Sequence, residues 1–239
     1  MGIDVDPNRV VTLNANHAHG VDTEALAPRH VKAAGRDVAC VFGRNEPRHG
    51  GQDGNPLIYA LKRSNGYTIG QQDLAALWSR VPPLIPLCHP GTAFDYVIPV
   101  PSSSKVVADL VQHAVGSLQP AQGVFSQLRK ATVGEARAML AAAMPTVAAR
   151  DIGDARSLER RLAKAPQGGR FTLKEVEARL RAAFKPVTFQ AGCSRIDGAS
   201  VLIVDDLLST GCSISSACHA AEALGAASIK CLVLLGSLR

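Results

Sequence analysis

Two adjacent carboxylates followed by a hydroxyl-rich turn form the clearest chemical pattern in this sequence. In the segment Val201–Ser213, VLIVDDLLSTGCS, an apolar run leads into Asp205 and Asp206, and Thr210 and Gly211 follow four residues later. Paired carboxylates can accept hydrogen bonds from a vicinal diol and can help to hold a divalent ion. A glycine-containing turn ahead of a helix presents backbone N–H groups to an anion. The segment therefore predicts a site for a ribose 5-phosphate.

The elements around these residues predict a parallel sheet. The short, continuous apolar run before Asp205 is typical of a strand that is buried on both faces. Apolar positions from Ile214 to Leu224 then recur at helical spacing, Gly225 is a natural helix stop, and Ser228–Leu235 reads as a second buried strand. This order of strand, loop, helix and strand is the right-handed crossover unit of α/β proteins.

A second unit of the same kind begins earlier in the chain. Tyr96–Val100 reads as a strand, the turn PSSSK follows it, and an apolar helical stripe runs from Val106 to Val115. Val124–Leu128 is the next predicted strand. Open parallel sheets bind ligands at the carboxyl ends of their strands, which is where both loops would lie. Taken alone, the serine-rich turn could also be no more than a helix cap.

With these motifs in place, the sequence resembles the type I phosphoribosyltransferases. D-D-x-x-x-T-G-x-S at Asp205–Ser213 is similar to the family's signature for 5-phosphoribosyl 1-pyrophosphate (PRPP), and the following helix is most similar to adenine phosphoribosyltransferase. DYVIPVPSSSK at 95–105 resembles the pyrophosphate loop of amidophosphoribosyltransferases. The resemblance implies an open, mainly parallel α/β sheet and a transferase that uses PRPP and Mg²⁺.

The resemblance also implies roles for individual residues. The carboxylates of Asp205 and Asp206 would bind the ribose hydroxyls and, with PRPP, Mg²⁺. The residues expected to wrap the 5-phosphate are Leu208, Ser209, Thr210, Gly211, Cys212 and Ser213. The residues expected to bind pyrophosphate are Pro101, Ser102, Ser103, Ser104 and Lys105. The groups expected to act in catalysis are Asp205, Asp206, Lys105 and Arg129. Arg129 and Lys130 are chosen because they end a predicted strand, although a plain surface charge is the simpler explanation for both.

Two departures from the family pattern bear on the acceptor. The 6-oxopurine enzymes have an acidic residue just before the Thr-Gly pair, whereas this chain has Ser209, which makes hypoxanthine or guanine a poor candidate. Where relatives have a short mobile loop, this chain has a predicted helical insertion at about 131–185, within a core at 91–239. We expect residues 1–90 to form a cap, or hood, with strands at Val38–Phe42 and Leu57–Leu61 and a helix near Leu74–Trp78.

Charge is concentrated in the insertion. The chain has 239 residues and a net charge of +6, and ten basic residues against five acidic ones lie between Arg150 and Lys185. A phosphorylated small molecule, a nucleic acid or simply a solvated helical face would each account for this excess. Thr172 and Glu175 match a capping box at the start of a third helix in this segment.

Six scattered cysteines without a CxxC pair indicate reduced, mostly structural thiols. A zinc site built from Cys40, His49, Cys88 and His89 can be drawn, but its spacing matches no known ligand frame. No apolar run is long enough to cross a bilayer, and the N-terminus does not resemble a secretory signal, so we expect a cytoplasmic protein.

Three functional hypotheses follow. The first is a phosphoribosyltransferase that joins PRPP to an unidentified nitrogenous acceptor and releases pyrophosphate. The second is a non-catalytic sensor of PRPP or nucleotides that binds nucleic acid or a partner protein. The third is a component of a multi-protein defence or toxin system. A homodimer or a place in a complex is expected in each case.

Overall fold

The computed structural model describes residues 1–23, 28–33, 35–44, 56–173 and 176–237. Its strands are β1 (Gly2–Val5), β2 (Val10–Asn14), β3 (Val21–Asp22), β4 (Arg29–Ala33), β5 (Arg36–Arg44), β6 (Thr68–Ile69), β7 (Tyr96–Pro99), β8 (Gly123–Val124), β9 (Leu128–Lys130), β10 (Val187–Phe189), β11 (Ser200–Leu208) and β12 (Ser228–Ser237). Its α-helices are α1 (Pro56–Leu61), α2 (Gln71–Ser79), α3 (Val81–Cys88), α4 (Lys105–Leu118), α5 (Val133–Ala143), α6 (Ile152–Lys164) and α7 (Cys212–Ala223).

A mainly parallel sheet of seven strands organises the molecule. Its order is β3-β5-β12-β11-β7-β8, with β4 also paired to β5, and every pairing from β5 to β8 is parallel. Only β3 and β4 run antiparallel to their neighbour β5. The central strand β11 is buried from Val201 to Asp206, as the continuous apolar run predicts. The open, mainly parallel α/β fold expected from the sequence is confirmed.

Each face of this sheet has its own apolar layer. Leu202 and Val204 of β11 pack in one layer with the buried stripe of α4, and α1 and α3 complete that layer. Val201 and Ile203 point to the opposite face and pack in a second layer with α7. This alternation follows from the two-residue period of a strand. Helices α4 and α7 therefore lie on opposite faces of β11.

The N-terminal residues are divided between two sheets. β1, β2 and β6 form a separate three-stranded sheet. The predicted strand at Val38–Phe42 is present as β5, but it pairs with β12 in the main sheet instead of lying in a cap. Its unbroken burial explains this position, because such a strand needs a covered face on both sides. A boundary at residue 90 remains a proposal.

Two predicted strands differ from the structure. The prediction of a strand at Leu57–Leu61 is wrong, because Pro56–Leu61 forms helix α1. Proline is well suited to the first turn of a helix. Leu57, Ile58 and Ala60 are buried, so one side of this helix packs into the core. The predicted strand at Val124–Leu128 is present as two shorter strands, β8 and β9, that belong to different sheets.

The segment between β9 and β10 forms a helical module with its own core. α5 and α6 bury Ala136, Leu140, Leu158 and Leu162 in a cluster that is distinct from the layers of the main sheet. β9 and β10 pair antiparallel and close the base of the module. The third predicted helix is represented by a 3₁₀ helix over Ala178–Ala183. The capping box predicted there depends on Glu175, which lies outside the described residues.

Candidate functional site

Two loops leave the same edge of the sheet from neighbouring parallel strands. β7 and β11 pair in register from Tyr96 opposite Val201 to Pro99 opposite Val204. The Val100 N–H then donates to the Val204 carbonyl over 2.8 Å, so the PSSSK turn begins beside the residue that precedes Asp205. The sequence-predicted pair of loops is thus brought together by one strand pairing, as ligand sites of open α/β sheets require.

Asp205 and Asp206 lie buried at the carboxyl end of β11. They are 8% and 5% exposed, respectively. Oδ1 of Asp205 accepts a 2.8 Å hydrogen bond from the Asp206 N–H. Burial, and then the neighbouring Asp206 carboxylate, raise the pKa of Asp205, while that N–H and the ammonium groups of Lys62 and Lys130 act in the opposite direction. The pair is therefore an acidic centre that needs cations or hydroxyl donors around it.

A lysine from the N-terminal part of the chain provides one of these cations. Lys62 follows the last residue of α1, and its Nζ lies 2.8 Å from Oδ2 of Asp206. The Lys62 side chain is 30% exposed and that of Asp206 only 7%. Sequence reasoning missed Lys62, because nothing in its local sequence indicates a contact with a residue so far along the chain.

The second loop has an open helix N-terminus. α7 begins at Cys212, and its N-cap is Gly211 with φ 76°, a left-handed conformation that favours glycine. Within the described part of the chain, no side chain makes a capping hydrogen bond to this helix. Ser209 and Thr210 are exposed, while Cys212 and Ser213 are half-buried. Free N–H groups at a helix start, with hydroxyls beside them, suit a phosphate group. The assignment of Leu208–Ser213 to a 5-phosphate stays a prediction.

In the first loop, serine hydroxyls already accept hydrogen bonds from backbone N–H groups. Ser104 is the N-cap of α4 and accepts a hydrogen bond from the Val106 N–H, and the Ser104 N–H donates to Oγ of Ser102. Lys105 is 85% exposed, with only Asp109 at 3.9 Å. Lys105 is therefore available for a ligand, and the pyrophosphate role of Pro101–Lys105 stays a prediction.

Arg129 is engaged elsewhere in the structure. Its guanidinium makes two hydrogen bonds of 2.8 and 2.7 Å to Glu135, and this pairing lowers the pKa of Glu135 to about 2. Glu135 also completes a capping box with Thr132 at the start of α5. Arg129 thus anchors the helical module, and the neighbouring Lys130 is the cation that acts on Asp205. The catalytic role predicted for Arg129 gains no support from this arrangement.

A basic pocket of about 380 Å³ lies next to the second loop, between the helical module and α7. The module lines it with Arg181 and Lys185, and α7 with Cys212 and His219, while Thr210 lies at the junction of pocket and loop. The cationic lining means that the surroundings of this loop favour a negatively charged ligand.

The acidic pair also bears on metal binding. Among the described residues no three His, Cys, Asp or Glu side chains cluster to hold an ion. The two carboxylates of Asp205 and Asp206 fit a Mg²⁺ ion whose other ligands are substrate oxygens and water. The zinc hypothesis is not tested, because His49 lies outside the described residues. Burial raises the pKa of Cys40 and of Cys88 to about 12.

Comparison with known proteins identifies the family of the C-terminal part. Residues 166–238 match the family model described as phosphoribosyl transferase domain. A search of curated proteins gives no match. The matched segment contains β11, the second loop, α7 and β12, whereas the first loop lies outside it. No described helix is long and apolar enough to span a membrane. The resemblance to phosphoribosyltransferases recognised in the sequence is thus confirmed for the segment that carries the second loop.

Proposed function

We propose that this protein is a phosphoribosyltransferase that uses PRPP and Mg²⁺ to transfer a 5-phosphoribosyl group to a nitrogenous acceptor, with release of pyrophosphate. The observation that carries the proposal is the position of the acidic pair. Asp205 and Asp206 lie between an open helix N-terminus and a Ser-Lys turn, all at one edge of the sheet. PRPP matches this arrangement, because its ribose hydroxyls lie between a phosphate at one end and a diphosphate at the other.

In the proposed reaction the acceptor nitrogen attacks the anomeric carbon of PRPP, and the bond to the pyrophosphate oxygen breaks. The Asp205 and Asp206 carboxylates would orient the ribose through its hydroxyls, and the backbone of Leu208–Ser213 would hold the 5-phosphate. Lys105 and the serines before it would stabilise the charge that develops on the leaving group. Bound Mg²⁺ would neutralise part of that charge. Catalysis would come mainly from positioning, without a protein nucleophile.

The N-terminal segment borders the proposed ribose site. Lys62 follows α1 and reaches Asp206, so this segment lies at the edge of the proposed ribose site. We propose that residues 1–90 select the acceptor, that they include the hood of the enzyme, and that the enzyme is cytoplasmic. Ser209, where 6-oxopurine enzymes have an acid, favours an acceptor other than hypoxanthine or guanine.

A second candidate is a non-catalytic PRPP sensor that binds nucleic acid. It is favoured by the exposed cations Arg156, Arg160 and Lys164, which lie four residues apart on α6 and therefore share one face of the helix. Phosphate contacts from such a ridge would weaken steeply as salt increases.

One assay separates the two candidates. The protein is incubated with PRPP, Mg²⁺ and a panel of nucleobases and amines, and pyrophosphate is measured. An enzyme should release pyrophosphate with at least one acceptor, and Asp206→Ala and Asp206→Asn should lower the rate at least about a hundredfold, since a buried charged partner of the substrate is lost. Asp197→Ala is the matched control, because the Asp197 side chain is 64% exposed and forms its ion pair with the nearby Arg195.

The alternative predicts a different set of results. PRPP would bind without turnover for any acceptor, and salt-sensitive nucleic-acid binding would survive Asp206→Ala. Such a result would contradict the transferase proposal and leave the PRPP site intact.

A further inference from the structure

Lys62 lies outside the recognised motifs, but its partly buried side chain reaches the acidic pair. Its ammonium contacts Asp206, one of the two carboxylates proposed to bind the ribose of PRPP. Once ribose hydroxyls occupy Asp206, this ammonium needs another anionic partner close by, because a desolvated charge without a partner is costly. PRPP itself carries two groups that could serve, the 5-phosphate and the diphosphate.

The two faces of the sheet distinguish between these groups. α1, which carries Lys62 at its end, packs through Leu57 and Ile58 in the same apolar layer as the stripe of α4. The Ser-Lys loop leads directly into α4, so it lies on this face. The 5-phosphate loop leads into α7, whose buried residues belong to the layer on the opposite face. Lys62 is therefore on the diphosphate side of β11.

The contact at the end of β11 supports the same placement. Leu207, the residue after Asp206, packs with the layer that contains α4, and the Asp206 carboxylate contacts Lys62, which follows a helix of that layer. The Ser-Lys loop has the cation Lys105, which is 85% exposed and lies 3.9 Å from the Asp109 carboxylate. A diphosphate has more charge than one exposed lysine can balance, and a second, partly buried ammonium from the facing segment would complete its binding.

We propose that Lys62 is a diphosphate-binding residue of the PRPP site: Asp206 holds its ammonium in the free protein, and the diphosphate of PRPP receives it when the ribose hydroxyls bind Asp206. This inference rests on the proposed function, since it takes PRPP as the ligand. It gives the N-terminal segment a direct role in donor binding besides acceptor selection. It also means that the metal and Lys62 share the neutralisation of the leaving group.

The test is calorimetric titration, in the presence of Mg²⁺, of the full chain with PRPP, pyrophosphate and ribose 5-phosphate. Lys62→Met should weaken PRPP and pyrophosphate roughly ten- to a hundredfold, as expected for one lost charge-assisted hydrogen bond, and should change ribose 5-phosphate affinity less than about threefold. Lys62→Arg, which keeps the charge, should recover most of the loss. Arg63→Met removes the same charge one residue away, at an exposed position, and should leave all three affinities unchanged.

The outcomes separate the inference from the function on which it rests. If wild type binds PRPP and Lys62→Met binds it equally well, the inference fails and the PRPP site stands. An equal loss for ribose 5-phosphate and pyrophosphate would also overturn it, because Lys62 would then act through Asp206 or through folding. If wild type does not bind PRPP, the proposed function itself fails. The unfolding temperature of each variant shows whether the fold is retained.

Discussion

The two loops at the sheet edge are built differently, although both follow a buried parallel strand and both precede a helix. In the first, Ser104 caps α4 and Ser102 accepts the Ser104 N–H, so the serines satisfy their own backbone. In the second, the cap is Gly211 in a left-handed conformation, and among the described residues no side chain makes a capping hydrogen bond to α7.

This difference indicates two modes of anion binding. The second loop offers backbone N–H groups in a preformed arrangement, so a phosphate could bind with little rearrangement. The first loop must exchange its internal serine contacts for contacts with a ligand, or bind through the exposed Lys105 and, as inferred above, through Lys62. Binding to the first loop should therefore depend on side-chain charge, and binding to the second on backbone geometry.

The largest effect that tests this comparison is expected at Gly211. Gly211→Ala forces a side chain into the left-handed conformation, which costs about 1–2 kcal/mol and distorts the loop. PRPP and ribose 5-phosphate should both bind about ten- to a hundredfold more weakly by calorimetry. Gly198→Ala is the matched control: Gly198 has φ 75° and nothing within 4 Å of an added Cβ. It should cost similar stability and leave both affinities unchanged.

A smaller effect is expected at Ser104. Ser104→Ala removes the cap of α4 and should lower the free energy of unfolding by about 1 kcal/mol in chemical denaturation. PRPP affinity should fall less than it does for Gly211→Ala, because the Ser104 oxygen already accepts the Val106 N–H and only its O–H can still donate to a phosphate. A larger loss of affinity for Ser104→Ala than for Gly211→Ala would reverse the comparison and make the first loop the preformed one.

Local patterns predicted the second loop and its supporting elements. The apolar runs of β11 and β12 and the helical stripe of α7 are signals that a few consecutive residues carry. The strand at Val38–Phe42 was predicted for the same reason, but its place beside β12 was not, because that pairing joins distant parts of the chain. The strand prediction at Leu57–Leu61 is wrong because a short apolar run fits a strand or a buried helix equally well.

The site was predictable where sequence motifs define it and not where tertiary contacts do. Lys62 meets Asp206 only after α1 packs against the sheet. The engagement of Arg129 was partly predictable, because Thr132 and Glu135 have the spacing of a capping box, and Glu135 then draws the guanidinium to the module. A basic residue that is close to a motif in the sequence is thus a weak indication of ligand binding when a neighbouring carboxylate can pair with that residue.

The central claim is that the segment Val201–Ser213 holds PRPP. The most direct measurement is a calorimetric titration of the wild-type protein with PRPP and Mg²⁺, repeated with Asp206→Ala. The account predicts saturable binding with one PRPP per chain in the wild type, and a loss of at least about a hundredfold in the variant. Undiminished PRPP binding by Asp206→Ala, or no binding by the wild type, would contradict it.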